Sequence, residues 1–207
     1  MVLVKKYIIA CITLCVCAIF LSSCKTRSSI NNSDITLNSK ASQNKPYLIL
    51  ISLDGFRWDY VERFEPPHLS RFINNGVFAE SLIPSFPSKT FPNHYTIATG
   101  MYPDNHGLLG NSYYSYKKDL TYSIGNRKMV EDGSFYNGTP IWVLAAKEKM
   151  VTASYFFVGT EAKIKGIRPT YYYSYDGNVK NSTRVDACCS LIEAAEINRS
   201  ILYFSAN

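Results

Sequence analysis

The chain has 207 residues, 46% of them hydrophobic, and a formal net charge of +6. That length is one domain or part of a larger one, with apolar content ample for a buried core. Lys and Arg are dispersed rather than clustered, which excludes a nucleic-acid-binding stripe and with it a duplex partner.

The first element in chain order is a leader. Lys5 and Lys6 form a basic start, Tyr7 to Phe20 an apolar stretch, and Leu-Ser-Ser-Cys, ending at Cys24, closes it. This is the pattern of a secretory signal. The apolar stretch falls short of the about 20 residues that a transmembrane helix needs. The LSSC ending resembles a bacterial lipobox, so residues 1–23 are predicted to be removed and Cys24 to be acylated. The chain is then expected in the bacterial cell envelope, anchored to a membrane by lipid and facing outside the cytoplasm. Residues 24–45, mostly Ser, Asn, Thr and Lys, read as a flexible tether. Cys11, Cys15 and Cys17 leave with the leader, so only Cys188 and Cys189 remain as thiols. Sequence neighbours make poor disulfide partners, and no C-x-x-C metal spacing exists. Both read as small apolar residues on a helix. Asn31, Asn137, Asn181 and Asn198 head Asn-x-Ser/Thr triplets, which matter only in a eukaryotic secretory pathway.

The folded region, residues 46–207, opens with a near-continuous apolar run from Tyr47 to Leu53, closed by Asp54 and Gly55. Such a run predicts a strand buried on both faces, as in a parallel sheet. Asp54 then stands at the carboxyl end of a strand, where open α/β sheets place their ligands. Taken as Asp-Gly alone, the same pair reads as a plain turn. In PPHLSRFINNGVFAE, Leu69, Phe72 and Ile73 have helical spacing, and Asn75-Gly76 stops the helix. Val77 to Leu82 reads as a short strand or extended arm.

PSKTFPNHYTIATG is a Pro-bounded loop running into a helix, with Thr90 at the junction. A capping Thr needs an N–H two or three residues on. Pro92, two residues on, has none, which weakens the capping reading. The alternative is a nucleophile held where a helix N-terminus favours an anion. Further on, Thr139 reads as an N-cap and Pro140 as the first helical residue of GTPIWVLAAKEK. VTASYFFVG is a buried strand, RVDACCSLIEAAEI a helix with Leu191, Ala194 and Ala195 on one side, and SILYFS a final strand. Strands alternating with helices give an α/β fold with a largely parallel sheet.

The set LILISLDGFRWDY, PSFPSKTFPNHYTIATGMYPDNHGLLGN, NGTPIWVLAAK and IRPTYYYSYDG resembles the nucleotide pyrophosphatase/phosphodiesterase family of the alkaline phosphatase superfamily. The similarity runs over about residues 46 to 205, in order. It implies an alkaline-phosphatase-like α/β fold, a largely parallel sheet flanked by helices. It implies zinc-dependent hydrolysis of phosphodiester or pyrophosphate bonds in nucleotide-type substrates, through a Thr nucleophile and a covalent intermediate. By position in the motifs, Asp54 is implied as a ligand of one of two zinc ions. Thr90 is implied as the nucleophile, its oxygen also contacting zinc. Asn111 is implied as the amide that holds a nonbridging phosphate oxygen. Phe91 is implied as one side of a slot for the nucleotide base, and one of Tyr171, Tyr172 and Tyr173 as the other. Neither His94 nor His106 receives a ligand role. His94 reads as a packing or hydrogen-bonding residue, and His68 as surface or helix-start.

Two zinc ions need about six protein ligands, mostly His and Asp. The resemblance gives this chain Asp54 and Thr90, and places the others downstream of SILYFS, where the chain reads SAN and the last His is already past, at His106. The expectation is a domain truncated at its C-terminal side and inactive alone, whether through a shortened coding sequence, a separate second chain or a fragment. Ile201 to Tyr203 is then expected as an apolar, unpaired edge. The alternative is a noncatalytic nucleotide-binding or surface lipoprotein remnant that keeps the aromatic slot without metals.

Overall fold

The computed structural model describes residues 38–43, 46, 48–194 and 200–206. The leader, Cys24 and residues 24–37 of the expected tether lie outside the described residues. The described chain runs α1 (Lys40–Gln43), β1 (Leu48–Leu53), α2 (Tyr60–Phe64), α3 (Pro67–Asn74), α4 (Thr90–Thr99), α5 (Pro103–His106), β2 (Ser112–Ser115), β3 (Leu120–Ser123) and α6 (Arg127–Val130). A 3-10 turn (Gly133–Phe135) follows, then α7 (Ile141–Lys147), β4 (Val151–Tyr155), β5 (Tyr171–Tyr173), α8 (Asn181–Ala194) and β6 (Ser200–Ala206).

The main sheet has the order β1-β6-β4-β5. Every pairing in it is parallel. All four carboxyl ends therefore lie on one side, and so do the segments that follow them: Asp54 after β1, Phe156 to Glu161 after β4, Tyr175 after β5. The largely parallel α/β architecture is as expected from the alternation of elements. A separate hairpin pairs β2 with β3.

Several local expectations are corrected. β6 is not an edge: it lies between β1 and β4, in register with both. β1 is an edge instead, and its apolar residues are not buried on both faces. Leu48, Ile49, Ile51 and Leu53 are all exposed, Ile51 at 61%. Composition reports that a strand is fit for burial; strand order decides whether it is buried. Val77 to Leu82 is an extended arm without strand pairing. The helix at Ile141 begins one residue later than expected, with Pro140 itself as N-cap and no side-chain cap from Thr139. Within the expected tether, Asn38, Ser39 and Ser42 bond to the turn after α7. Ser39 N–H donates to the Lys149 carbonyl at 2.9 Å, Ser42 Oγ donates to the Glu148 carbonyl at 3.1 Å, and Asn38 Oδ1 accepts from Val151 N–H. These groups of the turn between α7 and β4 find their partners in the Ser39 N–H and the Ser42 and Asn38 side chains.

α4 buries Pro92, His94, Tyr95 and Ala98 and exposes Ile97. It starts after an extended Lys89 and ends at Gly100, whose φ of 68° suits glycine. Tyr95 is fully buried beside Trp142, Tyr136 and His106, with ring centroids 6.4, 5.3 and 5.1 Å away. Its hydroxyl donates to the Asn137 carbonyl at 3.0 Å, so the polar end of the ring is satisfied inside the core. A second cluster joins Ala153, Tyr155 and Phe156 to Cys188, Leu191 and Ile192 of α8. Cys188 is buried and Cys189 exposed, both as free thiols on one helix. Burial pushes the Cys188 thiol up to about 12, which leaves it an inert packing group.

His106 is wholly buried at the end of α5. Its Nδ1 accepts from Leu108 N–H at 3.2 Å, so Nε2 carries the proton. That nitrogen lies 3.2 Å from the Pro92 carbonyl and 3.0 Å from Thr96 Oγ1. The ring thus ties α5 to α4. Burial lowers its pKa from 6.5, against a smaller raising effect of the Pro92 carbonyl. The unfolded chain therefore takes up a proton at a pH where the folded chain does not. The contribution of this residue is full above pH 6.5 and falls as the pH drops below it. In urea titrations, stability should decline below that pH, and His106→Gln should flatten the decline. The same variant should cost about 1–3 kcal/mol at neutral pH by leaving the Leu108 N–H unpaired.

Candidate active site

The loop before α4 is positioned by one side chain. Asn93 Oδ1 accepts from Ser85 N–H at 2.8 Å and from Ser85 Oγ at 3.1 Å. Its Nδ2 donates to the carbonyls of Pro87 at 3.1 Å and Lys89 at 2.9 Å. Asn93 so folds residues 85–89, which include a cis Phe86–Pro87 bond, back over the first turn of the helix. The N-cap of α4 is Lys89, without a side-chain cap bond. Thr90 is the first helical residue and caps nothing. Its Oγ1 donates instead to Asp54 Oδ2 at 3.0 Å.

Asn111 follows the loop after α5. Its Oδ1 accepts from Phe91 N–H at 3.0 Å. That bond uses one of the few N–H groups the helix start offers, since Pro92 has none. It also fixes which end of the amide is the acceptor, leaving Nδ2 as its donor. Thr90, Asp54 and Asn111 all line a cavity of about 630 Å³, with Ser52, Lys89, Asn93 and His94.

A second cavity of about 180 Å³ also touches Asp54 and Thr90. Phe91, Ile124, Phe156, Phe157, Val158 and Tyr175 supply its apolar walls. Phe91 lines this cavity beside Thr90. Tyr171, Tyr172 and Tyr173 do not line this cavity. They form β5, where Tyr172 is buried and Tyr171 and Tyr173 pack into the cluster under α8. Tyr173 stacks on Tyr155 at 4.3 Å between centroids. The aromatic that faces the cavity is Tyr175, just past the carboxyl end of β5. The rule that ligands gather beyond strand ends singles it out. Its Ser-Tyr-Asp-Gly context, like Ser-Leu-Asp-Gly at Asp54, was the available signal.

Two features hold this wall in place. Glu161, 6% exposed, pairs with Arg127 of α6, and its Oε2 accepts from Tyr175 N–H at 3.2 Å. One buried carboxylate thereby joins the loops after β4 and β5. Phe156 has a φ of 61°, a left-handed conformation that costs a bulky side chain about 1–3 kcal/mol. Contacts offset it: the Phe156 ring lies 4.5 Å from Tyr155 and 5.2 Å from Tyr175, and the Arg184 guanidinium lies over it at 5.0 Å. Gly159, at φ 86°, brings the backbone against Tyr95 and Tyr136, where a Cβ would meet ring atoms at 3.3 Å.

The metal question rests on the donor set. Two oxygens bound to one tetrahedral ion at about 2.0–2.2 Å lie roughly 3.3–3.6 Å apart. Thr90 Oγ1 and Asp54 Oδ2, hydrogen-bonded at 3.0 Å, reach two corners of such a site by moving a few tenths of an ångström apart. Among the described residues, no group of three or more His, Cys, Asp or Glu gathers around a point.

Comparison with known proteins bears on the same residues. The family model described as type I phosphodiesterase / nucleotide pyrophosphatase matches residues 48–204. Ectonucleotide pyrophosphatase/phosphodiesterase family member 1 of Mus musculus is 34% identical over 160 residues, 76% of this chain and 18% of that protein. Venom phosphodiesterase CdcPDE of Crotalus durissus collilineatus is 34% identical over 154 residues, 73% of this chain and 18% of that protein. Human ectonucleotide pyrophosphatase / phosphodiesterase 5 superposes with a TM-score of 0.70 at 31% identity, covering 77% of this chain and 43% of that one. An inactive variant of the murine protein, solved in complex with AMP, superposes with a TM-score of 0.69 at 30% identity, covering 78% and 43%. The chain thus spans about a fifth of the length of these curated relatives and under half of the solved ones. With a family model matched from the first residue of β1 into β6, and with an alkaline-phosphatase-like fold around Thr90, the chain belongs to the type I phosphodiesterase / nucleotide pyrophosphatase family.

Proposed function

We propose that this chain carries the nucleophile and the base slot of a hydrolase that cleaves phosphodiester or pyrophosphate bonds in nucleotide-type substrates. The observation that carries the reading is the bond from Thr90 to Asp54 at the mouth of two adjoining cavities, one of them aromatic. Thr90 is the nucleophile, and Asp54 accepts its hydroxyl hydrogen and aims the oxygen. The base lies between Phe91 and Tyr175, since stacking tolerates any base and leaves the phosphate free to reach Thr90. Asn111 Nδ2 donates to a nonbridging phosphate oxygen, where a preorganised neutral donor stabilises charge that grows in the transition state. Attack by Thr90 Oγ1 forms an oxygen–phosphorus bond and releases the other substituent into the larger cavity. Water then cleaves the phosphothreonine. Of the two zinc ions expected for the family, Asp54 and Thr90 would hold one. The chemistry zinc supplies there when bound is to lower the hydroxyl pKa and offset phosphoryl charge.

A second reading is nucleotide binding without turnover. It is favoured by the contrast between a formed aromatic cavity and a donor pair that fills only half of a tetrahedral site. The two readings share the slot and differ in turnover.

The cell-envelope location is part of the proposal and rests on the leader and its LSSC ending alone. Mass spectrometry of membrane-extracted protein should find the mature N-terminus at Cys24 with acyl mass added, whereas a soluble product starting elsewhere would refute anchoring.

Two measurements separate the functional readings. This chain should hydrolyse a p-nitrophenyl nucleotide ester at background rate with zinc added, no faster than Thr90→Ala. Turnover clearly above that control would assign catalysis to these residues alone. AMP binding, followed by calorimetry, should weaken in Phe91→Ala and in Tyr175→Ala by roughly 5- to 150-fold each, the range for one lost base stack. Tyr171→Phe, in β5, should leave it unchanged.

A further inference from the structure

His94 lies one turn along α4 from Thr90, and 4% of its surface is exposed. Its Nδ1 is 2.8 Å from the Thr90 carbonyl, which can only accept, so in the uncharged ring Nδ1 carries the proton. Nε2 is then the acceptor. It lies 2.9 Å from Ser52 Oγ, on β1, so the Ser52 hydroxyl donates to it. Ser52 lies on β1, Asp54 is the first residue past the end of that strand, and both line the larger cavity. The strand and the helix are therefore joined twice, by Ser52 to His94 and by Thr90 to Asp54. The His94 ring also meets Phe157 edge-on at 5.5 Å between centroids, and Phe157 is a wall of the aromatic cavity.

We infer that His94 is a positioning residue for Thr90. The Nδ1–H tautomer, locked by the Thr90 carbonyl and read by Ser52, acts as a spacer that sets the start of α4 against the end of β1, and so the distance between the Thr90 and Asp54 oxygens. Metal ligation by His94 is not required: both its nitrogens are engaged within the protein. The inference deepens the proposed function, since it rests on Thr90 as nucleophile. The spacing it describes is measurable without any turnover. A single hydrogen bond leaves a helix free to pivot about it. Two bonds from residues 90 and 94 to residues 54 and 52 remove that freedom, which is the preorganisation a reacting pair needs.

The test is NMR on the full chain with labelled His, Thr and Asp, in wild type and in Ser52→Ala, His94→Phe and His94→Gln. Long-range proton–nitrogen spectra of the wild type should show Nδ1 protonated and Nε2 bare at residue 94. Ser52→Ala and His94→Phe should both shift the Thr90 methyl and Asp54 carboxylate signals. Phe keeps a ring against Phe157, so a residue that only packs would leave those signals in place. His94→Gln, whose amide oxygen reaches the position of Nε2, should move them back toward wild type. If His94→Phe does not fold, Ser52→Ala carries the comparison, because it leaves α4 intact. A ring protonated on Nε2, or unmoved Thr90 and Asp54 signals in Ser52→Ala, would overturn the inference. Shifts as described in a chain that fails to bind AMP would sustain the positioning role and refute the nucleotide reading instead.

Discussion

The hydrogen bond from Thr90 to Asp54 joins residues 36 apart in sequence, and the arrangement of the site depends on it. Asp54 is available because β1 ends there, at the carboxyl edge of a parallel sheet. Thr90 is available because its hydroxyl is not spent on capping its own helix, a task left to the extended backbone of Lys89. The Asn93 side chain curls the preceding loop back over the first helical turn. With Pro92 lacking an N–H and Phe91 N–H taken by Asn111, the helix start is almost fully assigned, and Thr90 is left facing the cavities.

Behind that junction the scaffold is aromatic and stiff. Tyr95, Trp142, Tyr122, Tyr136 and Phe157 are buried at or near completion. The hydroxyls of Tyr95 and Tyr136 are satisfied, by the Asn137 carbonyl at 3.0 Å and the Val130 carbonyl at 2.8 Å. Burial pushes the Tyr122 hydroxyl up to about 12 and raises that of Tyr136 well above its ordinary value, so both stay neutral donors. A core of this kind absorbs the strained backbone of Phe156, which a looser surrounding would let relax. The strain sits at the wall of the aromatic cavity, where side-chain direction matters most.

The outer part of the molecule is built differently. β1 is paired on one edge by β6 and exposes Ile49 and Ile51, while Val77, Leu82, Ile83 and Phe86 of the following arm are almost fully exposed. An apolar edge of this kind is a surface that sheets normally cover. The solved relatives that share the fold are more than twice as long as the part matched here.

The sequence by itself determined the class of fold, the order of the elements and the identity of the central residues. Alternating apolar runs and helical periods led to a parallel α/β sheet. The motifs around Asp54, Thr90, Phe91 and Asn111 carried the family, because each pairs a chemistry-bearing side chain with a strand end, a helix start or a tight loop, features that leave a local mark. Tertiary structure alone decided what depends on strand order and on contacts between distant loops. SILYFS has the same composition whether it lies at an edge or in the middle, and only its insertion between β1 and β4 made it central. Tyr171, Tyr172 and Tyr173 share one tyrosine-rich run with Tyr175, and only the Asp-Gly that follows Tyr175 sets it apart locally. Which of them faces the aromatic cavity follows from where β5 stops and from a carboxylate, Glu161, that holds the chain beyond it. The partners of His94 likewise have no local signature, since Ser52 is 42 residues away and meets the ring only when β1 and α4 are packed side by side.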